Sequence, residues 1–185
     1  MGKLLVFNSI SLDGYFTDAG GDMSWAHKND PEFNEFTSEN AKRGGTLVFG
    51  RVTYDLMNSF WPTEQARKMF PEVATGMNDA SKIVFSRSMD RATWNNTRLI
   101  KENIVEEMRK LKEDTDDMVI MGSGTIVSQF TQAGLIDEYH LLVNPMVLGS
   151  GRTMFEGVKE KVNLQRTNYR TFQNGNVFVA YERVR

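Results

Sequence analysis

Apolar residues recur along the chain in short blocks divided by Gly, Asp, Asn and Pro, and their spacing predicts alternating strands and helices. Leu4 to Ile10 reads as a strand ended by Asp13-Gly14. Asp30-Pro31 reads as an N-cap with proline at the first helical position, opening a helix to about Arg43 that stops at Gly44-Gly45. Thr46 to Phe49 predicts a buried strand, followed by Gly50 and a short helix from Arg51 to about Asn58. In residues 63–80, Ala66, Met69, Phe70 and Val73 have helical spacing that Pro71 interrupts. Lys82–Ser86 and the short Arg98–Lys101 are the next strands.

Ile104, Val105, Met108 and Leu111 mark one face of an amphipathic helix, with Glu106 and Lys110 spaced to pair on its outer side. Met118–Met121 predicts a strand; Ile126, Val127, Phe130 and Ala133 predict a helix that Gly134 ends. Ile136–Leu148 is a long β-prone segment. Two final strands, about Val162–Phe172 and Val177–Val184, flank Asn174-Gly175, a strong hairpin signal. The pattern predicts an α/β fold: a mostly parallel central sheet with helical crossovers, closed by a C-terminal antiparallel hairpin.

A length of 185 residues fits one domain, 1–185, with a core that needs neither disulfide nor metal. The 22 basic and 24 acidic residues give a net charge of −2 without any like-charged block, so no nucleic-acid partner is expected. The chain has no cysteine and 2 histidines, His27 and His140, which removes thiolate nucleophiles, Cys-ligated zinc and multi-histidine metal sites. No apolar run approaches the roughly 20 residues of a membrane span. The expected setting is cytoplasmic, with no membrane partner.

Two segments share one design: Phe49-Gly50-Arg51-Val52-Thr53 and Met121-Gly122-Ser123-Gly124-Thr125. Each is a buried strand, a glycine and a helix start. Helix-start N–H groups point outward, the helix dipole adds partial positive charge, and glycine admits a ligand to the backbone. Two such junctions suit a ligand with two ends, such as a dinucleotide. Neither is a Rossmann fingerprint or a P-loop, and tight strand-to-helix turns would explain them equally well. Arg51 and Arg87 add cations that would favour the extra phosphate of NADPH over NADH.

Taken in order, Ser11-Leu12-Asp13-Gly14-Tyr15, Phe49-Gly50-Arg51-Val52-Thr53-Tyr54, Val84-Phe85-Ser86-Arg87, Met121-Gly122-Ser123-Gly124-Thr125, Gly134-Leu135-Ile136-Asp137-Glu138-Tyr139 and Pro145-Met146-Val147-Leu148-Gly149-Ser150-Gly151 resemble the dihydrofolate-reductase-like superfamily. The resemblance extends over nearly the whole chain. It is closest to stand-alone relatives of the reductase domain of the riboflavin-biosynthesis deaminase–reductase. It implies reduction of a small substrate, with an activity of the dihydrofolate reductase or 5-amino-6-(5-phosphoribosylamino)uracil reductase type. The implied cofactor is NADPH. Gly50, Arg51 and Thr53 would hold the pyrophosphate, Ser86 and Arg87 would border the 2′-phosphate, and Gly122, Ser123, Gly124 and Thr125 would form a second phosphate loop. A homodimer is also implied. Without cysteine, the zinc site of the deaminase partner domain cannot be assembled from these residues.

Hydride transfer leaves the reactivity to the cofactor and asks the protein for position, dryness and a proton donor. Two carboxyls are candidates for that proton. Asp30, spaced from Trp25 as in the tryptophan–acid pair of dihydrofolate reductase, would meet the substrate, or would only cap a helix. Asp13 would stand near the nicotinamide, or would only form an Asp-Gly turn. Tyr15, Trp25 and Phe33, with Phe36, are aromatic candidates for a flat heterocycle, with core packing as the alternative for the phenylalanines. Residues 15–25 read as a mobile loop able to close over the site. The leading expectation is an NADPH-dependent reductase of a pterin- or pyrimidine-like substrate. A non-catalytic nucleotide-binding or regulatory protein, and a purely structural role, are the alternatives.

Overall fold

In a computed structural model, described for residues 1–26, 30–42, 44–114 and 116–184, an eight-stranded sheet runs in the order β5-β4-β3-β6-β1-β7-β10-β9. Its strands are β1 (Leu4–Ser11), β3 (Thr46–Gly50), β4 (Lys82–Phe85), β5 (Thr97–Ile100), β6 (Met118–Ile120), β7 (Glu138–Asn144), β9 (Leu164–Thr171) and β10 (Val177–Arg183). All pairings are parallel up to β1–β7, and β10 is antiparallel to both β7 and β9. A separate two-stranded sheet pairs β2 (Tyr15–Thr17) with β8 (Arg152–Thr153).

The helices are α1 (Pro31–Lys42), α2 (Arg51–Phe60), α3 (Glu64–Met69), α4 (Pro71–Asp79), α5 (Ile104–Asp114) and α6 (Gly124–Gln132). Alternation along the central strands sends side chains to opposite faces. Leu4, Val6, Val48, Ile83 and Ile120 pack with Met108 and Leu111 of α5 and with Val127 and Phe130 of α6. On the other face, Phe33 of α1 packs with Leu142, Phe172 and Phe178, while Phe49 and Val84 pack with Tyr54, Met77 and Trp94.

Several expectations are revised. Pro71 divides residues 63–80 into two helices; it occupies the first turn of α4, where a missing N–H costs nothing. The β-prone stretch 136–148 is a strand only over Glu138–Asn144, with Pro145 following its end. The segment read as a mobile loop instead holds β2 and a single 3-10 turn at Ser24–Ala26. Between them Asp18 Oδ1 accepts from the amides of Gly20 and Asp22, both at 2.8 Å. His27 and Arg43 lie outside the described residues. Among the described residues no helix is long and apolar enough to cross a membrane.

Candidate functional site

The parallel strands β4, β3, β6 and β1 are neighbours, so the segments after their carboxyl ends form a row: Ser86-Arg87, Gly50-Arg51, Gly122-Ser123 and Ser11-Leu12-Asp13. The two glycine junctions, more than 70 residues apart in sequence, therefore meet. Gly50 N–H donates to Gly122 O at 2.8 Å. A Cβ on Gly50 would overlap Ser123 Oγ, and one on Gly122 would lie 2.8 Å from Thr53 Oγ1. Gly122 has φ +119, a backbone conformation that side-chain-bearing residues rarely adopt. Gly50 N-caps α2 and Ser123 N-caps α6, neither with a side-chain cap, so both helix starts present unsatisfied N–H groups.

The remaining expected cofactor residues surround this cradle. Thr53 is buried, and Ser86 is buried with Oγ accepting from Ser88 and Met89 amides at 3.3 and 3.1 Å. Arg51, Arg87 and Thr125 are exposed; Arg51 lies 4.0 Å from Asp55. Gly124 has a second duty. A Cβ there would meet Thr153 O at 2.8 Å and Phe16 Cε1 at 2.9 Å, so the β2–β8 sheet rests against the start of α6.

β1 pairs with β6 only from Leu4 to Val6, where β6 ends at Ile120, but with β7 as far as Ser11. The carboxyl ends of a parallel sheet are the usual ligand position in such folds. Asn8 lies two residues beyond the last β1–β6 pair. It is buried, and its Nδ2 has no hydrogen-bond partner.

The two candidate acids differ. Asp13 accepts from Ser11 Oγ at 2.6 Å and from the amides of Gly149 and Leu148 at 2.7 and 3.1 Å. The Ser11 hydroxyl chiefly, helped by these amides, holds its carboxyl down at about 2 against the opposing effect of desolvation. It is a carboxylate acceptor tying the turn after β1 to the loop after β7, an arrangement that does not suit a proton donor near neutral pH. Asp30 Oδ1 accepts from Phe33 N at 2.8 Å, so the capping role is present.

The aromatic candidates divide too. Phe33 is 8% exposed and meets Phe172 edge to face at 5.4 Å, so packing accounts for it. Tyr15 and Trp25 are half-buried; Tyr15 N–H donates to Ser11 Oγ at 3.0 Å and Trp25 Nε1 to Asp22 O at 3.1 Å. Sequence reasoning missed the buried asparagines Asn8, Asn144 and Asn176. Nothing in a strand or hairpin sequence marks an amide that lacks a partner.

Three features fit a dinucleotide phosphate: two helix starts with uncapped N–H groups, exposed cations at Arg51 and Arg87, and the orphaned amide of Asn8. The model of the RibD C-terminal domain family matches residues 2–178. The chain is 30% identical over 181 residues to the uncharacterized protein YyaP of Bacillus subtilis (strain 168), covering 97% of this chain and 94% of that one. Among solved structures, a putative riboflavin biosynthesis protein from Shewanella sp. PV-4 superposes with a TM-score of 0.77 at 23% identity, covering 99% of each chain. The diaminohydroxyphosphoribosylaminopyrimidine deaminase/5-amino-6-(5-phosphoribosylamino)uracil reductase of Thermotoga maritima gives 0.70 at 17%, covering 99% of this chain and 57% of that one. Dihydrofolate reductase from Enterococcus faecalis, complexed with NADP(H), gives 0.65 at 17%, covering 98% and 96%. The fold is thus dihydrofolate-reductase-like, and the chain belongs to the RibD C-terminal domain family.

Proposed function

We propose that this chain is an NADPH-dependent reductase that delivers hydride to a small pterin- or pyrimidine-like heterocycle. The observation that carries this reading is the meeting of two uncapped helix starts, at Gly50 and Ser123, beyond the adjacent parallel strands β3 and β6. Gly50, Arg51 and Thr53, with Gly122, Ser123, Gly124 and Thr125, would hold the pyrophosphate. Ser86 and Arg87 would border the adenosine 2′-phosphate.

When bound, the cofactor supplies the hydride. The chain supplies position and exclusion of water. The carboxyl end of β1, beyond its last pair with β6, would face the nicotinamide, with Asn8 Nδ2 as a donor for its polar group. Asp13 would hold the 148–149 loop in place beside it. Tyr15 and Trp25 would flank the substrate. Asp30 would cap α1 through Oδ1 and present a proton from Oδ2 to the substrate.

A second reading, nucleotide binding without turnover, is favoured by one observation: Asp13 and Asp30 both already act as hydrogen-bond acceptors within the chain. Titration of the purified protein with NADPH and NADH, followed by nicotinamide fluorescence, tests what the two readings share. NADPH preference that Arg87→Ala abolishes supports the 2′-phosphate assignment; equal losses for both cofactors remove Arg87 from it. Oxidation of bound NADPH by a pterin or pyrimidine then separates reductase from binder.

A further inference from the structure

The face of β7, β10 and β9 that packs against α1 holds a second opening. Ladder pairing sets His140 of β7 and Asn168 of β9 on either side of Ala180 in β10, so two polar side chains flank a methyl group. Phe36 of α1 and Phe178 stand beside them with ring centroids 4.9 Å apart, and the His140 ring meets Phe178 edge-on at 5.5 Å. With Glu138 and Thr167 these residues line a cleft of about 190 Å³. A β-bulge between Ala180 and Tyr181 brings both Thr167 and Asn168 to its rim; bulges re-aim side chains in this way beside functional sites. His140 precedes Asn144, the last residue of β7, by four positions, or about 13 Å at the rise of a strand. The cleft is therefore separate from the glycine cradle at the carboxyl ends of the sheet.

Its polar groups have bonding capacity to spare. Glu138 Oε1 accepts from Lys3 Nζ at 2.6 Å, and Oε2 meets His140 Nε2 at 2.9 Å. Burial pushes the Glu138 pKa up, but hydrogen bonds from Lys3 and His140 outweigh it and hold the carboxyl below its ordinary value. A carboxylate only accepts, so Nε2 carries the imidazole hydrogen, and in the neutral ring Nδ1 is an acceptor. Nδ1 has no partner among the described residues. Across Ala180, Asn168 Oδ1 accepts from Tyr169 N–H at 2.8 Å, which leaves Nδ2 as a donor with no partner among the described residues. An apolar cavity of about 150 Å³ holds benzene, so the cleft has room for one substituted ring against Phe36 and Phe178.

We infer that this cleft is a second ligand site, for a single aromatic ring that turns a hydroxyl or amino donor toward His140 and an acceptor toward Asn168. The inference goes beyond the reductase reading and does not depend on it. The ligand would touch α1 through Phe36, on the helix that Asp30 caps.

An NMR titration of the full chain with 4-hydroxybenzamide, and with 4-methoxybenzamide as the ring without a donor, tests the assignment. The expected result is a Kd of about 1 mM or tighter for 4-hydroxybenzamide, with 4-methoxybenzamide at least about fivefold weaker. The Ala180 amide and the Asn168 side-chain NH2 signals should shift, while those of Gly50 and Gly122 stay in place. His140→Phe keeps a ring against Phe178 and should weaken 4-hydroxybenzamide by about tenfold. Asn168→Ala should also weaken it, at a wild-type melting temperature, because Asn168 is exposed and gives up only a bond to its own neighbour. Asn168→Ala therefore decides the matter if His140→Phe proves less stable. NADPH affinity should be unchanged in both variants. The inference is overturned if the wild type does not bind 4-hydroxybenzamide, if it binds both rings equally, or if Asn168→Ala binds like wild type. Shifts confined to Gly50 and Gly122, or displacement by NADPH, would place the ring in the cradle and overturn it as well.

Discussion

Gly50 and Ser123 face each other across the ends of β3 and β6 so closely that a β-carbon on Gly50 would overlap the Ser123 hydroxyl. Gly50 has an ordinary extended backbone, φ −82 and ψ 165, so the requirement for glycine comes from the neighbour and not from its own conformation. Gly50→Ala is therefore expected to cost about 1–3 kcal/mol of stability through overpacking and to weaken NADPH binding. Adding Ser123→Gly removes the overlapping atoms and should recover stability. A double-mutant cycle from denaturant melts measures this coupling. Strict additivity of the two changes would contradict the contact.

Asp30 carries two proposed duties that substitution can separate. Asparagine caps helices about as well as aspartate, whereas alanine forfeits about 1 kcal/mol. Asp30→Ala should lower the melting temperature, and Asp30→Asn should leave it close to wild type while lowering turnover. Full turnover by Asp30→Asn would leave the carboxyl with capping alone.

Asp13 gives a pH signature. Its carboxyl falls from 3.8 to about 2 on folding, chiefly through the Ser11 hydroxyl. The unfolded chain thus binds more protons in that interval, and stability rises with pH across it. The contribution is complete above about pH 4 and is lost as pH falls through the folded value. Thermal melts of wild type and Asp13→Asn should differ near neutrality and converge toward pH 2. The Leu148 and Gly149 amides should also exchange faster in the variant, since they lose their carboxylate acceptor. A stability difference independent of pH would show that the carboxylate's charge does not hold the loop.

Local chemistry was legible where one short stretch decides the outcome. Asp30-Pro31 opens α1 as read, because capping and proline placement are properties of adjacent residues. Asn174-Gly175 joins β9 to β10, with Gly175 at φ +88. Ion pairing on α5 was less legible: Lys110 takes Glu107 at 2.9 Å rather than Glu106, and Glu106 takes Arg109 at 3.5 Å. Arg98 also reaches Glu107, at 3.3 Å, from β5, a strand-to-helix contact that spacing along α5 alone cannot supply.

Lys82 marks the limit more sharply. In sequence it is a charged residue at the start of a strand; in the fold it is 1% exposed. Its ammonium donates to the carbonyls of Asn78, Ala80 and Asn95 at 3.0, 2.7 and 3.2 Å and lies 4.6 Å from the Trp94 ring. Burial drives its pKa down to about 8. No periodicity announces that carbonyls from the end of α4 and from the turn before β5 will converge on one lysine.

By itself, then, the sequence determined the order and type of the main elements, the two glycine junctions and the absence of thiol chemistry, because each follows from neighbouring residues or from composition. Tertiary structure alone decided that the junctions meet, that Asp13 is held as an acceptor by a loop 135 residues away, and that Asn144 and Asn176 stand together with amides to spare. Those facts depend on strand order: β6 inserts between β3 and β1, and β7 takes the far side of β1. Side chains from distant segments become neighbours only when the sheet assembles.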